Sequence, residues 1–317
     1  MANKITSAKN SVLSFIKNFN FAKFKKLKLV NIIAKIAIYF LLICIGYVYL
    51  NPIFEMISKS IMTTEDLIDP SITWIAKHAT FDNFGSAIKT LDIPTSLFGS
   101  IIFSGILAIG QTAVSATTGF ALSRYTFKGR GVWFVMLILA FILPIPLLTV
   151  PRLMIFTSFK TLTGIQLIGT PIPQIVMAIL GQGTYSTMLV LIFYNFFNMI
   201  PKSLDEAAMI DGAGSMKVFY HVAIRLSAAT ILVVFLFSFV FNWNETYTTN
   251  TMLRSAVELI PSQLTLYSNS TGGAETAVNE AQRMAATLIS ILPLLILYAL
   301  VQKQFIQGIE NTGITGE

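Results

Sequence analysis

A chain of 317 residues has room for two ordinary soluble domains, but 54% hydrophobic and only 12% charged residues, against about 25% charged in a typical soluble domain, assign it to a bilayer. The net charge of +7 is sparse and segregated rather than gathered in the dense patch of a nucleic-acid binder, so nucleic acid is not an expected partner. The one cysteine, Cys44, lies in an apolar run, and the two histidines, His78 and His221, are far apart with no ligand cluster nearby, which leaves no basis for a disulfide framework or a metal site.

A charge at the bilayer centre costs about 2.5–3.5 kcal/mol on insertion scales, so stretches of nineteen or more residues without Asp, Glu, Lys or Arg mark the spans. Six exist: residues 36–54, 93–123, 131–151, 161–201, 226–244 and 284–302. Residues 1–28 precede the first and carry seven lysines interleaved with Val12, Phe15, Ile16, Phe19 and Phe24, a pattern that fits a basic amphipathic helix on the membrane surface or a lysine tail that sets topology. It is not expected to be a cleaved signal peptide, because the apolar region is too long and no small-residue cleavage site follows. The second stretch offers Gly105, Ala108, Gly110, Ala113, Ser115, Ala116 and Gly119 for close helix packing. Pro144, Pro146 and Pro151 crowd the third, and Pro293 sits in the sixth, marking either ordinary kinks or helix breaks along a translocation path. The fourth is long enough for two tight spans. Its polar beginning favours one helix from about Pro173 to Asn198, interrupted by Gln182, Gly183, Thr184 and Ser186.

With the N-terminus inside, the cytoplasmic pieces hold fifteen Lys/Arg and five Asp/Glu, and the outer pieces seven and ten. This asymmetry predicts cytoplasmic N- and C-termini around an even number of spans. The chain thus reads as all-α and polytopic, with a basic segment over residues 1–28, a six-helix membrane domain over 29–306 and a cytoplasmic tail over 307–317.

The cytoplasmic loop over residues 201–226 is the most informative segment. Ser203 and Glu206 have the spacing of a capping box, so a short helix is expected after Pro201, ending at Gly212, the residue type that tolerates a left-handed backbone. A second helix is expected near Ser215, leading into the fifth span, and Ala207 and Ala208 give the first helix a low surface for another protein to approach.

This loop resembles the EAA loop of ABC importer permeases. Glu206, Ala207, Ala208 and Gly212 match its pattern, and Asp211 and Ala213 match the Asp-Gly-Ala form of the carbohydrate branch. At its end Val222, Ala223 and Ile224 stand for Ile-x-Leu, and Arg225 stands where the pattern has proline, which leaves open how the chain bends into the fifth span. The resemblance extends over most of the chain. Trp74, Thr80 and Asn83 look like an outer element of the family, with Ala76 in place of its proline and Phe84 in place of its tyrosine. Gly119 to Arg124 with Phe127 to Arg130 looks like its second cytoplasmic corner, Asn242 to Glu245 like the end of its fifth span, and residues 305–316 like its Gly-rich tail, with Thr315 where lysine is frequent.

The resemblance implies the type I transmembrane domain of a maltose-type sugar importer in a prokaryotic cell membrane. The chain would pair with a second permease, take a sugar or oligosaccharide from an extracellular binding protein, and be driven by a pair of cytoplasmic ATPase subunits through Ser203, Glu206, Ala207, Ala208, Asp211, Gly212 and Ala213. ATP and Mg would be used by those ATPases. No cofactor is expected on this chain, which has no phosphate-cradle motif and no nucleophile–base pair. A stand-alone secondary sugar carrier is the alternative, and a membrane-embedded enzyme or scaffold a further one; the charge-free spans argue against the carrier, which needs a buried coupling group. Gln182, Tyr185, Tyr194, Asn195, Asn242 and Asn244 are the candidate solute contacts, by amide, phenol and aromatic chemistry suited to hydroxyl-rich ligands, or else they join helices to one another. A path without fixed charge suits an uncharged solute.

Overall fold

The computed structural model describes residues 21–254, 257–268 and 274–313, and within these residues the regular structure is helical apart from a single bridge between Met62 and Ala79. The chain divides into two units, residues 1–58 and 59–317. The first contains nearly all of helix α1 (Phe21–Ser60), which runs without interruption through residue 28, so the basic residues 23–28 belong to the same helix as the apolar run. Residues 1–20, with most of the basic segment, lie outside the described residues. From Ile32 to Leu50 the large apolar side chains of α1 are exposed on every side, the surface expected of a helix solvated by lipid.

The second unit is arranged around α4 (Ile93–Arg124), a 32-residue helix about 48 Å long at 1.5 Å per residue, more than enough to cross a hydrocarbon core of about 30 Å. Its small residues let neighbours come close. At Gly119 an added Cβ would stand 2.6 Å from Phe193 Cβ and 2.9 Å from the Tyr194 backbone nitrogen, so α8 (Ser186–Met199) can lie against α4 only because that Cβ is missing. Phe120, Phe193, Phe197 and Phe219 form the aromatic core at this end, with ring centroids 5.1–5.7 Å apart where Phe120 meets Phe197 and Phe219 and where Phe193 meets Phe197.

Two of the expected spans are broken, and the chain bends sharply as it enters the fifth. Residues 131–151 divide between α5 (Arg130–Ile142) and α6 (Ile145–Thr163), which meet at 107°. Leu143 and Pro144 are extended there, since the residue before a proline is pushed out of the helical region, while Pro146 opens α6 where no backbone donor is required. The single helix expected over residues 173–198 is instead α7 (Ile172–Ile179) and α8, separated by six residues in which Gly181 (φ +72°) and Tyr185 (φ +53°) are left-handed. The chain past Gly212 forms α10 (Ser215–Val218), a π-turn over Phe219–Ala223, and α11 (Ile224–Leu226), then turns by 81° into α12 (Ala228–Asn244). Arg225 therefore does not remove the bend. Ser227, fully buried, supplies it: its backbone N–H is shared between the carbonyls of Ala223 and Ile224, and its hydroxyl donates to Ile224 O at 3.1 Å, a local competition that bends helices.

Among the described residues, three helices are long and apolar enough to cross a membrane, over 31–60, 93–124 and 278–304, and the two bent pairs bring that number to five; α8 is an apolar helix of fourteen residues. The last of the three lies within α15 (Ala274–Gly313), which is continuous across residue 307, where the C-terminal tail was expected to begin. Residues 314–317 lie outside the described residues.

Between α1 and α4 the chain forms α2 (Thr64–Ile68) and α3 (Asp82–Thr90). Asp66, 2% exposed, accepts the His78 backbone N–H at 2.8 Å and lies 3.2 Å from its ring Nδ1, while Asn83 donates to Ser60 O and Met62 O. The His78 backbone bond leads the interactions that hold the Asp66 carboxyl below the ordinary carboxylate value, and the Ser71 hydroxyl leads those that lower Asp69 to about 2.

Two outcomes follow from this packing. Gly119→Val should destabilise the protein by about 1–3 kcal/mol or more through overpacking against backbone, read as a lower unfolding temperature of the solubilised protein. The depressed carboxylates stabilise the folded segment above the ordinary carboxylate range, and that contribution is lost as pH falls through the lowered values. Hydrogen exchange of residues 61–82, corrected for its intrinsic rate, should be unchanged from about pH 7 to 5 and should rise between about pH 4 and 2; Asp66→Asn should raise it at neutral pH.

Candidate solute cavity and coupling loop

One amide organises the middle of the second unit. Gln111, on α4 and fully buried, donates from Nε2 to Thr184 O and to Ser186 Oγ, both at 3.0 Å, and accepts at Oε1 from the Ser238 hydroxyl and from Asn242 Nδ2 at 2.6 Å. It thereby joins the break between α7 and α8 to α12. Gly183 makes this approach possible, because a Cβ there would fall 2.1 Å from Gln111 Nε2. Thr184, whose carbonyl has no helical partner in the break, is satisfied by this side chain, as a low-dielectric setting demands.

Beside this hub lies a cavity of 390 Å³ bounded by α4, the corner between α5 and α6, the α7–α8 break, α12 and α13 (Tyr247–Met252). Of the six candidate solute contacts, Gln182, Tyr185 and Asn242 line it. Tyr185 also packs on Phe241 with centroids 4.7 Å apart, and the Asn242 amide is engaged by Gln111 and Ser238, so Asn242 holds helices together as well as facing the space. The other three lie elsewhere. Tyr194 packs on Phe134 of α5 at 5.0 Å, Asn195 is exposed on α8, and Asn244 is exposed and donates back to Val240 O.

Sequence reading missed Gln111, Gln174 and Arg152. Gln174 lines the cavity, donates to Thr249 Oγ1 at 2.9 Å, and has a buried Oε1 with no hydrogen-bond partner. Thr248 and Thr249 are held in turn by the Glu245 carboxylate, which accepts both backbone N–H groups at the start of α13. Arg152 also lines the cavity, with Nη2 3.4 Å from Gln182 Oε1. A search for charge-free stretches ends the third span one residue before Arg152 and so excludes it, whereas the fold returns it to the cavity on α6; the expected path without fixed charge is corrected to that extent. Gln111 carried one usable signal, an amide in the middle of an otherwise small and apolar helix.

The loop is built differently from its capping-box reading. Helix α9 (Lys202–Ile210) begins two residues early with Pro201 at its cap, so Ser203 lies inside the first turn, no side-chain cap bond forms, and Ser203 and Glu206 are both exposed. The end agrees with expectation. Gly212 is left-handed (φ +82°), its N–H donates to Met209 O and that of Ala213 to Ala208 O, both at 3.0 Å, which is a Schellman closure. What seats the loop is Asp205. Its carboxylate is buried and lies 3.0 Å from Arg124 Nε, close enough for an ion pair though off the line of a hydrogen bond, while Arg124 Nη2 donates to Ile200 O at 2.8 Å. Ala208 and Ala213 rest on the aromatic core, Ala207 and Asp211 are exposed, and Ile210 is 87% exposed beside exposed Leu204, Met209, Met216 and Tyr220.

A helical membrane unit with broken spans, a polar cavity and a braced amphipathic loop is the architecture of a transport permease, and comparison with known proteins agrees. Residues 111–311, more than half the chain, match the family model described as binding-protein-dependent transport system inner membrane component, and the chain belongs to this family. It is 27% identical over 221 residues to the sn-glycerol-3-phosphate transport system permease protein UgpE of Yersinia enterocolitica, covering 68% of this chain and 72% of that one. It is 25% identical over 273 residues to the diacetylchitobiose uptake system permease protein DasC of Streptomyces coelicolor, covering 86% and 93%. In fold it is similar to a chain in the crystal structure of a bacterial ABC transporter involved in the import of the acidic polysaccharide alginate, with a TM-score of 0.68 at 22% identity over 86% of this chain and 96% of that one. The protein is therefore a permease component of an ABC importer rather than a stand-alone carrier or an enzyme.

The buried pair gives a test. Arg124→Met, which strands Asp205, should cost about 3–5 kcal/mol, and the double variant Arg124→Met with Asp205→Leu should regain most of it. Thermal unfolding of the solubilised protein reads both; equal losses in the two would show that the pair does not brace the loop.

Proposed function

We propose that this chain forms, with a second permease, the membrane path of a sugar or oligosaccharide importer that receives its solute from an extracellular binding protein and is driven by two cytoplasmic ATPase subunits. It would cross the bilayer six times with both termini cytoplasmic, the α7–α8 pair completing the sixth passage. ATP and Mg would be handled by the ATPases alone. What supports the coupling role is a loop closed by Gly212 and anchored through Asp205 that leaves the apolar side chains of Leu204, Met209, Ile210 and Met216 exposed. Exposed apolar side chains on an anchored support are suited to contact another protein. Ala207, next to Glu206, adds little bulk to that surface.

The sugar assignment rests on the Asp211-Gly212-Ala213 form of the loop and on DasC, whose named solute is a saccharide. Solute would pass the cavity beside the α7–α8 break, with Gln182, Tyr185 and Asn242 among its contacts. The outward apolar faces of α1 would be covered by lipid or by the partner permease.

The coupling role predicts that Gly212→Val leaves the subunits assembled but lowers ATP-dependent uptake about tenfold or more, because a β-branched residue at this positive φ is costly. Ile210→Asp should weaken retention of the ATPase in co-purification. Since Glu206 caps nothing, a loss of uptake in Glu206→Ala would report a contact to the ATPase; full uptake in all three variants would remove the loop from the mechanism. For the solute, calorimetry on the cognate binding protein with saccharides, amino acids and peptides is the direct test, and tight binding of an amino acid with no saccharide response would refute the sugar reading.

A further inference from the structure

Among the described residues Arg152 is the one charged residue lining the cavity, and it makes no ion pair with any of them. Its contact with Gln182 Oε1, at 3.4 Å, is long and uses a single donor of the five on a guanidinium. The rest of the polar lining, including Gln174, Gln182, Thr184, Ser186 and Asn242, is neutral, and no Asp or Glu among the described residues lines the space. A half-buried guanidinium is costly unless a counter-ion reaches it, and its planar fork matches the paired oxygens of a carboxylate or phosphate.

We propose that the solute carried through this cavity bears a carboxylate or phosphate group, which Arg152 holds. The proposal rests on the cavity being the solute path and refines the class of sugar carried: an acidic or phosphorylated saccharide rather than a neutral one. The neighbouring amides and hydroxyls then orient the neutral part, and Arg152 supplies charge selection.

The test uses the full complex with its binding protein in proteoliposomes. Three probes are compared: a neutral disaccharide, the same disaccharide with one primary alcohol oxidised to a carboxylate, and its phosphate ester. Calorimetry on the binding protein should show that one of the charged forms binds tightest, the carboxylate and phosphate arms separating the two oxyanions; preference for the neutral form overturns the proposal. With the preferred probe below saturation, Arg152→Gln should lower initial uptake about tenfold, and Arg152→Lys, which keeps the charge but loses the fork, should lose less than Arg152→Gln while staying below the parent. Gln182→Glu, which sets a carboxylate beside Arg152, should lower charged-probe uptake in the same way, and it serves should Arg152→Gln fail to assemble. Thr187→Trp, which fills the cavity from its wall, should block uptake of every probe. Blocked uptake in Thr187→Trp with parental uptake of the charged probe in Arg152→Gln would overturn the charge selection and leave the path standing. Full uptake in Thr187→Trp overturns the path itself, and with it the proposal. An equal loss of neutral and charged probes in Arg152→Gln would show that Arg152 pairs with a carboxylate of another subunit, and the proposal fails.

Discussion

The fold depends on how one buried amide is satisfied. Gln111 sits on α4 with no access to solvent and fills its donor and acceptor capacity by binding the interrupted backbone at Thr184, the Ser186 hydroxyl, the Ser238 hydroxyl and the Asn242 amide. In a low-dielectric interior each of those groups would be costly alone, and together they fix three segments against one another. The break between α7 and α8 is stable because Gln111 satisfies part of it, and Gly183 is required because any side chain there would occupy the amide's position. The cavity exists on the far side of the same break.

Helix α4 also carries the second polar anchor. Thirteen residues beyond Gln111, about 20 Å along the axis, Arg124 pairs with Asp205 and binds the Ile200 carbonyl, so one rigid helix reaches both the wall of the cavity and the loop. The aromatic core of Phe120, Phe197 and Phe219 lies under the loop and resists local yielding. The two sites are thus joined by packed structure, and the bend at Ser227 connects the loop to α12, which returns to the Gln111 hub.

The breaks in the helices have separate local causes and a common result. Prolines set the corner between α5 and α6, two left-handed residues set the gap between α7 and α8, and a buried serine that competes for a helical carbonyl sets the turn before α12. Each break releases backbone polar groups away from water, and those at the α7–α8 gap are met by side chains from other helices. This is how an otherwise apolar bundle holds a cavity with a mostly apolar lining into which amides, hydroxyls and the Arg152 guanidinium are set.

The sequence by itself determined what depends on neighbours along the chain. The apolar, charge-free stretches required a membrane protein, because the cost of burying charge is additive along a segment; Gly212 marked the end of α9, because only its own backbone angle decides that; and the Glu206-Ala207-Ala208 pattern with Asp211-Gly212-Ala213 pointed to the family. It could not show what depends on residues far apart in the chain. Whether Asp205 faces solvent or a partner was decided by Arg124, eighty-one positions earlier, which the fold brings within 3.0 Å of its carboxylate. Tyr194 and Asn244 had the same chemistry as Tyr185 and Asn242, yet only the latter pair line the cavity, since facing is set by how broken helices turn. Arg152, adjacent in sequence to the end of an apolar stretch, read as a boundary charge. The 107° corner at Pro144 brings it back against Gln182, because a charge's environment is a property of the folded chain and not of its position along it.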